Sequence, residues 1–149
     1  MTAVQAIGLM SGTSFDGVDV AVIETDGERV SAFGPTGYRA YAEAERSLLR
    51  QALTDVVNVS DRNQRPGVLA QAEALVTRAH GDALEDYLAD NSLSLTTIEV
   101  IGFHGQTVAQ TLGSAKLERV VIRISFRFVK NRVGTVPDKR STQVCIPPG

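Results

Sequence analysis

Residues 7–23 read Ile-Gly-Leu-Met-Ser-Gly-Thr-Ser-Phe-Asp-Gly-Val-Asp-Val-Ala-Val-Ile, a short hydroxyl-rich stretch between two apolar runs of β type. Residues 4–10 and 18–23 suit buried strands, so residues 11–17 must reverse the chain in a tight space. Gly12 and Gly17 fit such a reversal. Lacking a Cβ, they also let a ligand approach the backbone, with the N–H groups of residues 12–17 directed at an anion. Ser11, Thr13 and Ser14 add hydroxyl donors. Asp16 and Asp19 would repel a bare phosphate, so in a nucleotide site their natural place is beside magnesium or its waters. An ordinary polar hairpin turn uses the same residue types and is the competing reading of this stretch.

The chain has 149 residues, the size of one domain and enough to bury a core without disulfides or metals. Its net charge of −2 hides an asymmetry. Residues 1–115 hold 7 Lys+Arg against 15 Asp+Glu, and residues 116–149 hold 8 against 2. The single cysteine, Cys145, excludes an internal disulfide and fits a reducing, cytoplasmic setting. Residues 1–30 lack a basic start and carry acids at 16, 19, 24, 26 and 28, so no secretion leader is expected. No run approaches the roughly 18–20 apolar residues that cross a bilayer, so no membrane partner is expected.

The pattern along the chain predicts an antiparallel pair over residues 4–10 and 17–25, with Asp26-Gly27 as the far turn. A third strand over residues 30–33 is expected to end at Gly34-Pro35-Thr36-Gly37. From Tyr41 the period becomes helical, with Ala42, Leu48, Leu49, Ala52, Leu53 and Val56 on one face. A polar break at 58–64 precedes a longer helix starting near Pro66. Its spacing of three or four runs from Val68 through Tyr87 to Leu88 and puts His80 on the solvent side. Asp90-Asn91 ends it. Residues 98–103 read as another strand, with His104-Gly105-Gln106-Thr107 as its polar end, and residues 120–129 as a further strand. This order predicts an α/β fold, a mixed sheet with flanking helices. Ligands gather at strand ends in such sheets, and both polar motifs lie at strand ends.

Neither a Walker lysine loop nor a Rossmann glycine fingerprint is present. Residues 8–19, Gly-Leu-Met-Ser-Gly-Thr-Ser-Phe-Asp-Gly-Val-Asp, are followed by Gly102-Phe103-His104-Gly105-Gln106-Thr107-Val108. This pair of motifs, in this order, resembles the opening of the anhydro-N-acetylmuramic acid kinases. The resemblance implies the N-terminal lobe of an actin-like, sugar-kinase ATPase fold. It also implies an enzyme that uses ATP and Mg2+ to open a 1,6-anhydro sugar and phosphorylate its O6 in peptidoglycan recycling. The family's ATP loop maps onto Gly12, Thr13, Ser14, Phe15, Asp16, Gly17, Val18 and Asp19; within it, the chemistry of the side chains leaves Asp16 and Asp19 as the candidate metal carboxylates. His104 and Gln106 map onto the substrate side. For His104, a hydrogen-bonded structural role is the alternative, and Gln106 suits orienting a hydroxyl better than moving a proton.

The resemblance covers residues 5–110. The family's Gly-Asp-Gly turn, Asp-Phe-Arg segment and glycine-rich stretch with the water-activating aspartate have no counterpart here; Ser125-Phe126-Arg127 resembles Asp-Phe-Arg without its acid. No catalytic base is therefore assigned. The expected organisation is a partial kinase lobe over 1–115 and a divergent basic, disordered tail over 116–149, as in a frameshifted or truncated product. Such a chain is expected to be inactive alone. Two alternatives stand: a non-catalytic nucleotide-binding or interaction module, and a nucleic-acid anchor built from Lys116, Arg119, Arg123, Arg127, Lys130, Arg132, Lys139 and Arg140. No nucleic-acid motif accompanies that basic run. A homodimer is left open.

Overall fold

The computed structural model describes residues 3–57, 64–110 and 119–122. Strands β1 (Val4–Ser11), β2 (Gly17–Thr25) and β3 (Val30–Ala40) precede helices α1 (Glu43–Asp55) and α2 (Leu69–Asp90), and β4 (Val100–Phe103) follows. These strands form one sheet in the order β3-β2-β1-β4. β2 is antiparallel to both β1 and β3, and β4 runs parallel to β1, which makes the sheet mixed as expected. A separate pair joins β5 (Gln106–Gln110) to β6 (Arg119–Ile122). Gln106 and Thr107 thus open β5 rather than trail off β4. The remainder of the strand expected over 120–129, and the tail beyond it, lie outside the described residues.

Alternation decides which face of the sheet is covered. Ile7, Leu9 and Ser11 of β1 and Val18, Val20 and Val22 of β2 are buried, whereas Gly8, Met10 and Asp19 between them are exposed. Against the inner face pack Leu49 and Ala52 of α1 and Ala72, Val76, Ala79, Ala83 and Tyr87 of α2. Each fully buried large aliphatic contributes about 1.5–3 kcal/mol.

β3 departs from expectation. It continues to Ala40 instead of stopping at Phe33, because its glycines serve close packing rather than a turn. A Cβ on Gly37 would lie 2.6 Å from the Tyr87 ring, and one on Gly34 would strike the Val22 side chain. Pro35 is accommodated where the β2–β3 register shifts, on an edge strand, and its carbonyl accepts from Tyr87 Oη at 2.7 Å. α2 begins at Leu69, three residues after Pro66. Gly67 adopts φ +52, which no right-handed helix allows, and Asp55 Oδ2 accepts the Val68 N–H at 2.8 Å as a cap supplied from α1.

His80 is the second departure. It is fully buried rather than solvent-facing, because α2 is covered along a wider arc than its apolar stripe suggests, with Leu69 and Leu84 buried as well. Its Nδ1–H donates to the Val76 carbonyl at 2.8 Å, and its ring meets Phe103 edge-on at 6.3 Å. Its Nε2 is buried with no partner among the described residues. Burial, and secondarily the Arg39 charge, push its pKa below the ordinary 6.5, while the Val76 carbonyl opposes the shift. The native state therefore binds fewer protons than the unfolded chain once pH drops below 6.5. Urea unfolding is expected to show stability level above that pH and falling as it is lowered toward 5. His80→Gln, which keeps a donor for the Val76 carbonyl, should lack this step. Loss of the carboxylate contributions of Glu45 and Asp55, whose pKa values are lowered below 4.5 and 3.8, belongs to a more acidic window.

Candidate functional site

β1 and β4 are parallel, so their carboxyl ends lie side by side, and the two polar motifs follow from those ends. The His104 N–H donates to the Leu9 carbonyl at 3.0 Å, extending the pairing one step past Phe103. Ser11 Oγ donates to Gln106 Oε1 at 2.6 Å and lies 3.2 Å from Tyr41 Oη. These three side chains are buried and join residues 11, 41 and 106 in one polar cluster. The structure thus brings the two motifs to a single sheet edge.

Within the loop, the reversal is made differently from the way its glycines suggest. The residue in the left-handed region is Phe15, at φ 55, and its N–H donates to the Gly12 carbonyl at 3.3 Å. A non-glycine residue there costs about 1–2 kcal/mol, which burial of the Phe15 ring, 5 % exposed, offsets. Gly17 serves the sheet: a Cβ on it would meet the Tyr38 ring at 2.6 Å and the Arg39 carbonyl closer still. Val18 is core. Of the eight loop positions, Phe15, Gly17 and Val18 form the frame, Gly12 is half-buried, and Thr13, Ser14, Asp16 and Asp19 face solvent.

The hydroxyls are also more committed than their number implies. Ser11 gives its proton to Gln106, and Ser14 Oγ donates to Asp16 Oδ1 at 2.6 Å. The Gly17 N–H reaches the same carboxylate oxygen at 3.1 Å. The Ser14 hydroxyl first, then the N–H groups of Asp16 and Gly17 and the more distant Arg46, hold the Asp16 carboxyl below its usual range, so it is ionised at neutral pH. Thr13 is left as the exposed hydroxyl of the turn. Together with the backbone N–H groups of Thr13 and Ser14, which lie outside the strand ladders, it offers donors to an anion.

Asp19 stands on the outer face of β2, in register with Met10 of β1 and Tyr38 of β3. The Tyr38 phenol is pushed up by desolvation and then by the charges of Asp16 and Asp19, which places both carboxylates around one corner. His104, exposed, sits beside Met10 at the other end of this row. Between them a shallow hollow is floored by Gly8, Ala21 and Gly102, whose lack of bulk keeps it open. Gln106 does not reach this surface: it is fully buried, and its visible role is to hold Ser11.

Sequence patterning missed Arg39 and Tyr41, since Tyr41 reads as the first residue of a helix. Arg39 forms a forked pair with Glu45 at 2.9 and 3.2 Å, approaches Asp82 at 3.4 Å, and lies 5.9 Å from the centre of the Tyr41 ring. Glu45 also accepts the Ala42 N–H at 2.8 Å, starting α1. Among the described residues no cluster of three or more His, Cys, Asp or Glu could hold a metal, so a cation here would rest on Asp16, Asp19, ligand oxygens and water. Two carboxylates beside a turn whose N–H groups lie outside the strand ladders fit a magnesium–phosphate group. Among the described residues no helix is long and apolar enough to cross a membrane.

Comparison with known proteins identifies the family. The family model described as anhydro-N-acetylmuramic acid kinase matches residues 4–146, a longer span than the expected 5–110. The chain is 57% identical over 119 residues to a Nitrobacter winogradskyi protein of that name, covering 80% of this chain and 31% of the relative. A Rhodopseudomonas palustris protein of the same name is 55% identical over 127 residues, covering 80% and 35%. One from Bradyrhizobium diazoefficiens is 58% identical over 103 residues, covering 69% and 28%. The chain therefore spans about a third of the length of the curated relatives it matches. On the strength of this match and of the two motifs meeting at one sheet edge, the chain belongs to the anhydro-N-acetylmuramic acid kinase family.

Proposed function

We propose that this chain forms the nucleotide-phosphate wall of an ATP-dependent carbohydrate kinase. The reaction is hydrolytic opening of 1,6-anhydro-N-acetylmuramic acid with phosphorylation of O6, giving N-acetylmuramic acid 6-phosphate for peptidoglycan recycling in the cytoplasm. The observation that carries this reading is the Ser11–Gln106 hydrogen bond, which makes one cleft edge of two motifs 95 residues apart.

In this reading the turn over residues 12–16 receives the phosphates through backbone N–H groups and the Thr13 hydroxyl. Asp16 and Asp19 hold Mg2+ or its waters, and Asp16 is preorganised for that work because Ser14 and Gly17 fix one of its oxygens. Bound Mg-ATP supplies the transferable phosphoryl group. His104, exposed at the far end of the row, faces the sugar side, and Gln106 acts behind the surface by fixing Ser11. Residues 1–115 form this lobe, and residues 116–149 stand apart from it by charge.

Phosphoryl transfer requires acceptor, donor and base positioned together, and positioning supplies much of the rate. Among the described residues the row contains carboxylates committed to the metal side and no base placed for an attacking water. In this reading the chain holds nucleotide without turning over, which is also how a non-catalytic nucleotide module would behave.

Calorimetric titration of the chain with Mg-ATP is expected to show binding. Asp16→Ala should weaken it by roughly tenfold to a hundredfold, as for loss of a charged partner, and Gly12→Val should weaken it by crowding the turn. No binding to the parent chain would sink both the kinase-wall and the module readings. Incubated with ATP and the anhydro sugar, the chain alone should yield no sugar phosphate, and measurable product would overturn the assignment of a single wall.

A further inference from the structure

Tyr41 touches the loop at both of its ends. Its backbone N–H donates to the Asp16 carbonyl at 2.8 Å, where the loop enters β2, and its hydroxyl lies 3.2 Å from Ser11 Oγ, where the loop leaves β1. Ser11 has one proton, and that proton goes to Gln106 Oε1 at 2.6 Å. The direction of the remaining bond follows: Tyr41 Oη–H donates to Ser11 Oγ, whose O–H donates to Gln106. Such a one-way chain is cooperative, each donor strengthening the next, and it is buried where the low dielectric makes it strongest. Tyr41 is itself held, with its ring buried and the Arg39 guanidinium 5.9 Å from the ring centre.

We propose that Tyr41 is the positioning residue of the phosphate loop, a clamp that sets the separation of residues 11 and 16 and passes it to Gln106 through the Ser11 hydroxyl. The inference rests on the nucleotide reading above and goes beyond it, because Tyr41 lies outside the loop and is buried beneath it. Its contribution is preorganisation: a loop already held in its binding shape loses less freedom when phosphate arrives.

Tyr41→Phe removes the hydroxyl alone and leaves the ring, the Arg39 contact and the backbone bond to Asp16. Two readouts are taken on the full chain at a temperature where parent and variant are both folded. Without nucleotide, hydrogen-exchange protection at the Phe15 and Gly17 amides is expected to fall. With Mg-ATP, affinity is expected to fall by roughly threefold to tenfold, the equivalent of one hydrogen bond. Ser11→Ala cuts the same chain from the other side and should give the same two changes, and adding Tyr41→Phe to it should change neither further. Unaltered protection in both variants overturns the clamp, and so does lowered protection with unaltered affinity, since a structural hydroxyl would leave affinity unchanged. If the parent chain binds no Mg-ATP, the nucleotide reading fails by itself, and the clamp is then decided by the ligand-free protection alone.

Discussion

The site depends on a single buried hydroxyl. Ser11 ends β1, and its bond to Gln106 ties the phosphate-type loop to the His-Gly-Gln-Thr segment beyond the last step of the β1–β4 pairing, the His104 N–H on the Leu9 carbonyl. Both partners are nearly fully buried, so removing either leaves the other short of a partner at a cost of about 1–3 kcal/mol. The contacts then run outward. Tyr41 meets Ser11, the Arg39 guanidinium lies by the Tyr41 ring, and Glu45 and Asp82 tie Arg39 to α1 and α2. The exposed groups stand on this hydrogen-bonded and ion-paired frame.

That frame divides the loop's residues by role. Phe15 accepts a strained backbone so that its ring can anchor the turn, and Gly17 gives up a side chain so that Tyr38 and Arg39 can lie against it. Thr13, Asp16 and Asp19 are thereby left facing outward, beside a floor kept low by Gly8, Ala21 and Gly102. On this outer face Met10, Tyr38, Phe33 and Val100 are half or more exposed, and the chain spans only about a third of its curated relatives.

Much of this was legible in the residues. The alternation of Ile7, Leu9, Val18, Val20 and Val22 identifies the first hairpin and its inner face, and the spacing from Val68 to Leu88 identifies α2. β3 was not legible past Phe33, because glycine signals a turn in sequence whether it bends the chain or admits Val22 and Tyr87. His80 misleads for a related reason: a polar residue beside an apolar stripe reads as solvent-facing, but packing covers a wider arc of α2. Within the site, the loop positions were legible as a motif, whereas the commitment of Ser11 and the presence of Tyr41 depend on contacts between residues far apart in the chain.

If Ser11 and Gln106 make one site of the two motifs, a ligand bound at the loop must be felt beyond β4. Amide NMR of the isotopically labelled chain, titrated with Mg-ATP, reads this directly. Signals of residues 12–17 and 104–106 should move together with one midpoint. Movement confined to residues 12–17, or two separate midpoints, would contradict a single coupled site.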